Sequence, residues 1–348
     1  MSPIALTISL TSMFIGTLLT ITSSHWLTAW MGLEINTIAI LPLMASRHLP
    51  RSVEACTKYF LMQAPASALF LFAATSNAWS QGQWETLIMT DSFSTICMLI
   101  ALMTKMGLAP MYAWFPEVTQ GLNMTTALIL CTWQKIAPLI LLSQIQLTDP
   151  TPFLVVGALS ALIGGWGGLN QTQLRKMLAY SSISHSGWIM VIMQLSPNLA
   201  LFNFLVYCMI TTAAFLTFKT FNTTNFFSLS IKWSKAPILA LCTATTLMSL
   251  GGIPPLLGFA PKLLILKMLL TENLALLACM MAFFSLPSLF FYVRTVVVLT
   301  LTTISKPLSS SSPWRILTLK SSALLAWAIM ASALFLPISP LILSLLVF

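Results

Sequence analysis

A chain of 348 residues that is 57% hydrophobic and 7% charged, with a mean hydropathy of +0.91, is a polytopic membrane protein. A soluble domain carries about 25% charged residues, so that class is excluded. The net charge of +9 then reflects topology rather than nucleic-acid binding, and the six scattered cysteines show no CxxC or other ligand spacing that would support a zinc or iron–sulfur site.

In chain order the apolar spans fall at about 3–22, 26–45, 57–78, 92–121, 124–146, 151–170, 174–194, 199–220, 237–270, 274–301 and 322–347, eleven in all. The first run lacks a basic n-region, so no cleavable signal is expected. Only the stretches 46–56, 221–236 and the Ser/Pro-rich 302–321 read as substantial loops. Alternating the connections between two faces puts Arg47, Arg51, Lys58, Arg175, Lys176, Lys219, Lys232, Lys235, Lys306, Arg315 and Lys320 on one side. The other side receives Glu85, Asp91, Asp149 and Glu272 and no basic residue. By the positive-inside rule the basic face and the N-terminus point to the cytoplasm or matrix.

Two spans are too long to be plain helices. The stretch 92–121 would extend roughly 45 Å as one helix, against a hydrocarbon core of ~30 Å. Gly107, Pro110 and Pro116 are its breakers. The pattern Gly107-Leu108-Ala109-Pro110 followed by Trp114-Phe115-Pro116-Glu117 returns 145 residues later as Gly252-Ile253-Pro254-Pro255 and Phe259-Ala260-Pro261-Lys262, inside 237–270. Five spans make up residues 1–147 and five more make up 148–301, leaving a polar loop and a terminal span in 302–348. Because five is odd, the second copy enters the membrane from the opposite face. The expected fold is therefore an all-α inverted five-helix repeat with two broken helices, an architecture of secondary transporters.

Glu34, Lys105, Lys135 and Lys262 lie deep within spans, where ionisable groups mark function by default. Lys267 and Arg294 lie near helix ends and read as snorkelling side chains. His185, flanked by serines in Ser184-His185-Ser186, fits a packing histidine and a proton-relay member equally. Gly164-Gly165-Trp166-Gly167-Gly168 lacks the Gly-Lys-Ser/Thr of a phosphate loop and reads as close helix packing.

The runs Gly32-Leu33-Glu34, Lys105-Met106-Gly107-Leu108-Ala109-Pro110, Thr132-Trp133-Gln134-Lys135, Gly167-Gly168-Leu169-Asn170-Gln171-Thr172-Gln173-Leu174-Arg175-Lys176 and Gly251-Gly252-Ile253-Pro254-Pro255 carry a family resemblance over nearly the whole chain. It resembles the antiporter-like membrane-arm subunits of respiratory complex I, NADH–ubiquinone oxidoreductase, and among them the chain 2 family in its short animal mitochondrial form. The resemblance implies a multi-pass protein of the mitochondrial inner membrane that carries protons through a buried Glu/Lys/His relay. Redox chemistry elsewhere in the complex drives it. It implies a Glu34–Lys105 charge pair, Lys135 as central relay and Lys262 facing the exit path. It further implies partnership with other membrane-arm subunits and lipid, and none with nucleic acid. No cofactor is expected on this chain, and NADH, FMN, the iron–sulfur clusters and ubiquinone belong to the rest of the complex. Three N-terminal helices of bacterial relatives have no counterpart here.

The alternative reading is a cation/proton antiporter subunit, which should add carboxylates beside Lys135; a non-transporting assembly subunit would tolerate loss of Lys105 and Lys135. For the relay, Coulomb's law sets the scale. Moving a carboxylate from ~4 to ~8 Å from an ammonium, at an effective dielectric of ~20, changes their interaction by roughly 2 kcal/mol. That is comparable to the ~2.3 kcal/mol per charge supplied by 100 mV.

Overall fold

The computed structural model describes residues 2–46, 49–86, 91–145, 149–233, 237–301 and 323–347. Arg47, Lys235, Lys306, Arg315, Lys320 and the loop 302–321 lie outside the described residues, as does the side chain of Lys232. What is described is nearly all helix, and two isolated bridges are the only extended pairing among the described residues.

The helices are α1 (Pro3–Thr22), α2 (Trp26–Met44), α3 (Pro50–Gln81), α4 (Ser92–Met106), α5 (Trp114–Gly121), α6 (Met124–Cys131), α7 (Ile136–Gln144) and α8 (Thr151–Gly168). They continue with α9 (Leu174–Met193), α10 (Pro197–Phe221), α11 (Phe226–Trp233), α12 (Pro237–Gly251), α13 (Phe259–Thr271), α14 (Ala275–Leu301), α15 (Ala323–Leu334) and α16 (Ser339–Val347). Each expected span is helical, and both long ones are broken. Seven stretches are long and apolar enough to cross a bilayer: α1, α2, α3, α6 through α7, α8, α10 and α14. The chain divides into two compact units, Met1–Val156 and Gly157–Phe348, with the division inside α8.

Four elements differ from the sequence expectation, the first being the terminal span 322–347, which a 3-10 turn at Leu336–Ile338 divides into α15 and α16. Helix α3 runs over 32 residues rather than 57–78. Pro50 opens it at a position where no amide hydrogen is needed, and Gly82, at φ 69°, ends it. Polarity at Arg51, Glu54 and Lys58 ends the apolar window but not the helix. The stretch 221–236 contains α11. The span 124–146 is interrupted by a 3-10 turn at Trp133–Lys135, because the ring of Pro138 cannot coexist with a regular helical bond to the Gln134 carbonyl four residues back.

In the first unit α1 and α2 meet through glycines. A Cβ on Gly16 would lie 2.9 Å from the Gly32 carbonyl oxygen, and one on Gly32 equally close to that of Gly16. Small residues let backbones approach this closely, as membrane helices require. In the second unit α8 and α9 do the same. A Cβ at Gly187 would sit 2.7 Å from the Gly157 oxygen, and one at Gly164 2.5 Å from the Ser184 nitrogen. Helix α9 is interior to its unit, with every residue from Ser181 to Met193 buried.

Backbone pairing also reports which connections share an end. His25 bridges Glu85, with Trp26 N–H donating to Trp84 O at 3.0 Å and Thr86 N–H to Ser24 O at 3.0 Å. The α1–α2 and α3–α4 connections are therefore on one face. Gln173 bridges Asn225, which puts the α8–α9 and α10–α11 connections together. Lys58 of α3 lies between Glu54 at 2.8 Å and Glu117 of α5 at 2.9 Å, joining the start of α3 to the α5 end of the broken span.

Candidate functional site

Each break has the same local cause. Gly107 takes φ 72° and Gly252 φ 81°, the left-handed region that only glycine enters without strain. The Gly107 N–H donates to Met103 O and Thr104 O, and the Leu108 N–H returns to Met103 O at 3.1 Å. At the second break the Gly252 N–H donates to Met248 O and Ser249 O, both at 3.1 Å, and the Ile253 N–H returns to Met248 O at 3.4 Å. Every donor and acceptor recurs at the offset of 145 residues. The restarts match as well: Phe115 N–H to Tyr112 O at 3.0 Å, and Ala260 N–H to Leu257 O at 3.3 Å. Pro110 lies in the first gap, and Pro254 and Pro255 in the second, where none has to donate a helical bond.

In the first unit the break brings charges together. Lys105 occupies the last turn of α4 and is 7% exposed; Lys135 ends the 3-10 turn and is 2% exposed. Both line one cavity of about 20 Å³, the size of a single water. Thr37, Tyr59, Gln63 and Gln134 supply polar groups to its wall, and Phe115 supplies an aromatic face. The Lys135 ammonium stands 5.0 Å from the centre of the Phe115 ring, within cation–π range. The Lys105 ammonium has no hydrogen-bond partner among the described residues.

Glu34, the expected partner of Lys105, is half-buried on α2. No ion pair within 4.0 Å joins them among the described residues. Its Oε2 accepts from the Thr37 hydroxyl at 3.0 Å, and the Glu34 carbonyl accepts from the same hydroxyl at 2.8 Å.

The second unit is built differently. His185 is buried on α9, its ring 5.5 Å from that of Tyr207 on α10. Lys262 is half-buried on α13 and donates to the Gly251 carbonyl at 2.9 Å, closing the C-terminal end of α12. Positive charge there suits the helix dipole. The position that the repeat sets against Lys262 is Glu117, which instead pairs with Lys58 and is more than half exposed. The repeat thus preserves backbone geometry and not charge. Of the two basic residues read as snorkelling, Lys267 is exposed and Arg294 donates to Leu169 O at 3.0 Å.

Sequence reading missed Phe115, Thr37 and the interruption at Lys135. Pro138, three residues after the lysine, was the available signal for the last. No cluster of three or more His, Cys, Asp or Glu able to hold a metal occurs among the described residues.

Paired broken helices with buried lysines define an antiporter-like membrane subunit, and residues 23–288 match the family model described as NADH:quinone oxidoreductase/Mrp antiporter, TM. The chain is 51% identical over 345 residues to NADH-ubiquinone oxidoreductase chain 2 of Tetraodon nigroviridis, covering 99% of each. It is 51% identical over 346 residues to that of Carassius auratus, again with 99% of each covered. In fold it is similar to a chain of respiratory complex I from Thermus thermophilus, with a TM-score of 0.82 at 24% identity over 99% of this chain and 78% of that one. A chain of the Mrp complex from Dietzia gives 0.75 at 16% identity, over 95% and 73%. The chain belongs to the NADH-ubiquinone oxidoreductase chain 2 family.

Proposed function

We propose that the chain is a proton-carrying membrane subunit of the H+-translocating NADH–ubiquinone oxidoreductase, multi-pass in the mitochondrial inner membrane with its N-terminus in the matrix. It assembles with the other membrane-arm subunits and holds no redox centre. NADH, FMN, the iron–sulfur clusters and ubiquinone act elsewhere in the complex. The observation that carries the reading is the pair of buried ammonium groups, Lys105 and Lys135, sharing one water-sized cavity. A structural role gives no reason to place two like charges there, since each costs several kcal/mol to take out of water.

In this reading Glu34 is the movable counter-charge. Moving it between ~4 and ~8 Å from the ammonium changes the energy of Lys105 by roughly 2 kcal/mol, which favours passing its proton through a cavity water to Lys135 once Lys135 has released its own and stands as the neutral amine. His185 and Lys262 belong to the same relay in the second half, and the two halves are inverted copies. The antiporter alternative rests on a family model that covers both classes and on fold likeness at 16% identity, against 51% identity to the oxidoreductase chains.

The test is Lys135→Met in the assembled, reconstituted complex, reading protons moved per NADH oxidised. The methionine keeps the volume and removes the charge. Assembly should persist while the proton yield falls; a full yield would overturn the relay role.

A further inference from the structure

A second cavity, of about 400 Å³, lies within the unit Gly157–Phe348 and shares no wall with the first. It opens where α8 and α10 end. There the Gln173–Asn225 bridge ties their connections together, so its polar end lies among the connections at the ends of these helices. Asn170 and Asn225 line that end together with Arg294 of α14. The Arg294 guanidinium spends one donor on Leu169 O, at 3.0 Å. Among the described residues it makes no other hydrogen bond, which leaves four of its five donors for a ligand. Among the described residues no carboxylate lines the cavity.

Gln171, Thr172 and Thr295 add polar groups, and beyond them the wall is apolar, dominated by Phe226 and Phe227 of α11 and Phe291 of α14. Phe227 is 79% exposed on a short helix that lies between spans, as interfacial helices do. An occupant must therefore offer an anion at one end and hydrocarbon at the other. The chain's own segment 302–321 is a poor complement, since it carries Lys306, Arg315 and Lys320 and no acid.

We propose that this cavity binds an anionic glycerophospholipid, its phosphate on Arg294 and its acyl chains along the Phe226, Phe227 and Phe291 wall. Arginine matches phosphate geometry with paired N–H donors. Free inorganic phosphate offers the same anion without the hydrocarbon, and the competition arm below separates the two.

The test uses the intact purified complex, depleted of lipid in detergent and offered photoreactive phosphatidylglycerol or photoreactive phosphatidylcholine. Phosphatidylglycerol should crosslink to peptides containing Phe226–Phe227 or Phe291–Arg294, and phosphatidylcholine much less. Arg294→Gln should cut that labelling roughly tenfold, the effect of losing one charge-assisted contact, while Arg294→Lys keeps part of it. Millimolar inorganic phosphate should not compete. Should Arg294→Gln prevent assembly, Phe227→Ser alters an exposed side chain and should lower labelling severalfold in an assembled complex. The proposal is overturned by labelling at this site that ignores both substitutions. It is overturned equally by competition from inorganic phosphate, or by a photoreactive group at position 227 that captures segment 302–321 or another subunit in place of lipid.

Discussion

Replacing Gly107 by alanine should damage the complex far more than its one added methyl suggests. At φ 72° an alanine costs about 1–2 kcal/mol in backbone strain. The new Cβ would also lie 3.1 Å from Phe115 Cβ and 3.2 Å from its Cγ and Cδ2, at the root of a ring that is itself buried. Overpacking of that kind adds about 1–3 kcal/mol, for a total of roughly 2–5 kcal/mol. Gly82 supplies the control. It has nearly the same φ, 69°, but no atom lies within 4 Å of where its added methyl would stand, so Gly82→Ala should cost only the strain. Phe115 also lies beneath the Lys135 ammonium, so displacing it alters a cation–π contact worth about 2 kcal/mol when desolvated. The assays are the amount of assembled complex on native gels, its thermal inactivation, and protons moved per electron. Gly107→Ala should lower all three, and Gly82→Ala only the second, slightly. Equal effects from the two would refute the account, because they would show that Phe115 does not fix the break.

Thr37→Val should leave assembly intact but lower proton yield, since it removes the hydroxyl that holds the Glu34 carboxylate at 3.0 Å; Thr37→Ser should restore it. Gly187→Ala drives a methyl into Ser160 Oγ and sets it 2.7 Å from the Gly157 carbonyl, so thermal inactivation should come several degrees earlier. Lys58→Met should cost at most about 1 kcal/mol, because both of its ion pairs are exposed; a collapse of assembly would show the pairs to be more than surface contacts. Cysteines placed at positions 50 and 149 should label from opposite sides of the membrane, with position 50 reached from the matrix.

The helix breaks were legible because glycine and proline act locally: Gly107 and Gly252 end their helices through backbone geometry that neighbours do not alter. The alternation of connections was legible from charge, and the His25–Glu85 and Gln173–Asn225 bridges follow the same parity. The extent of α3 was not, because hydropathy marks where lipid ends and not where hydrogen bonding ends. Helix α11 was hidden in a connection whose polar residues, Asn222 to Asn225, resemble an ordinary loop. The cavity between Lys105 and Lys135 was invisible for a different reason. It depends on Thr37, Tyr59 and Phe115 converging from separate elements, and no spacing along the chain encodes that.

The two halves differ in what opposes their lysine. The proposed counter-charge of Lys105 is Glu34, a side chain on another helix whose carboxylate is held by the Thr37 hydroxyl. Lys262 answers to the carbonyl of Gly251 and the end of α12, whose partial negative charge is permanent. In the proposed relay the first half is therefore switched by moving one side chain on another helix, whereas the group opposing the lysine of the second half is backbone. Freeing Lys262 from that carbonyl requires its side chain to swing away or α12 to shift against α13, so in the proposed relay a helix end gates the second half where a single side chain gates the first.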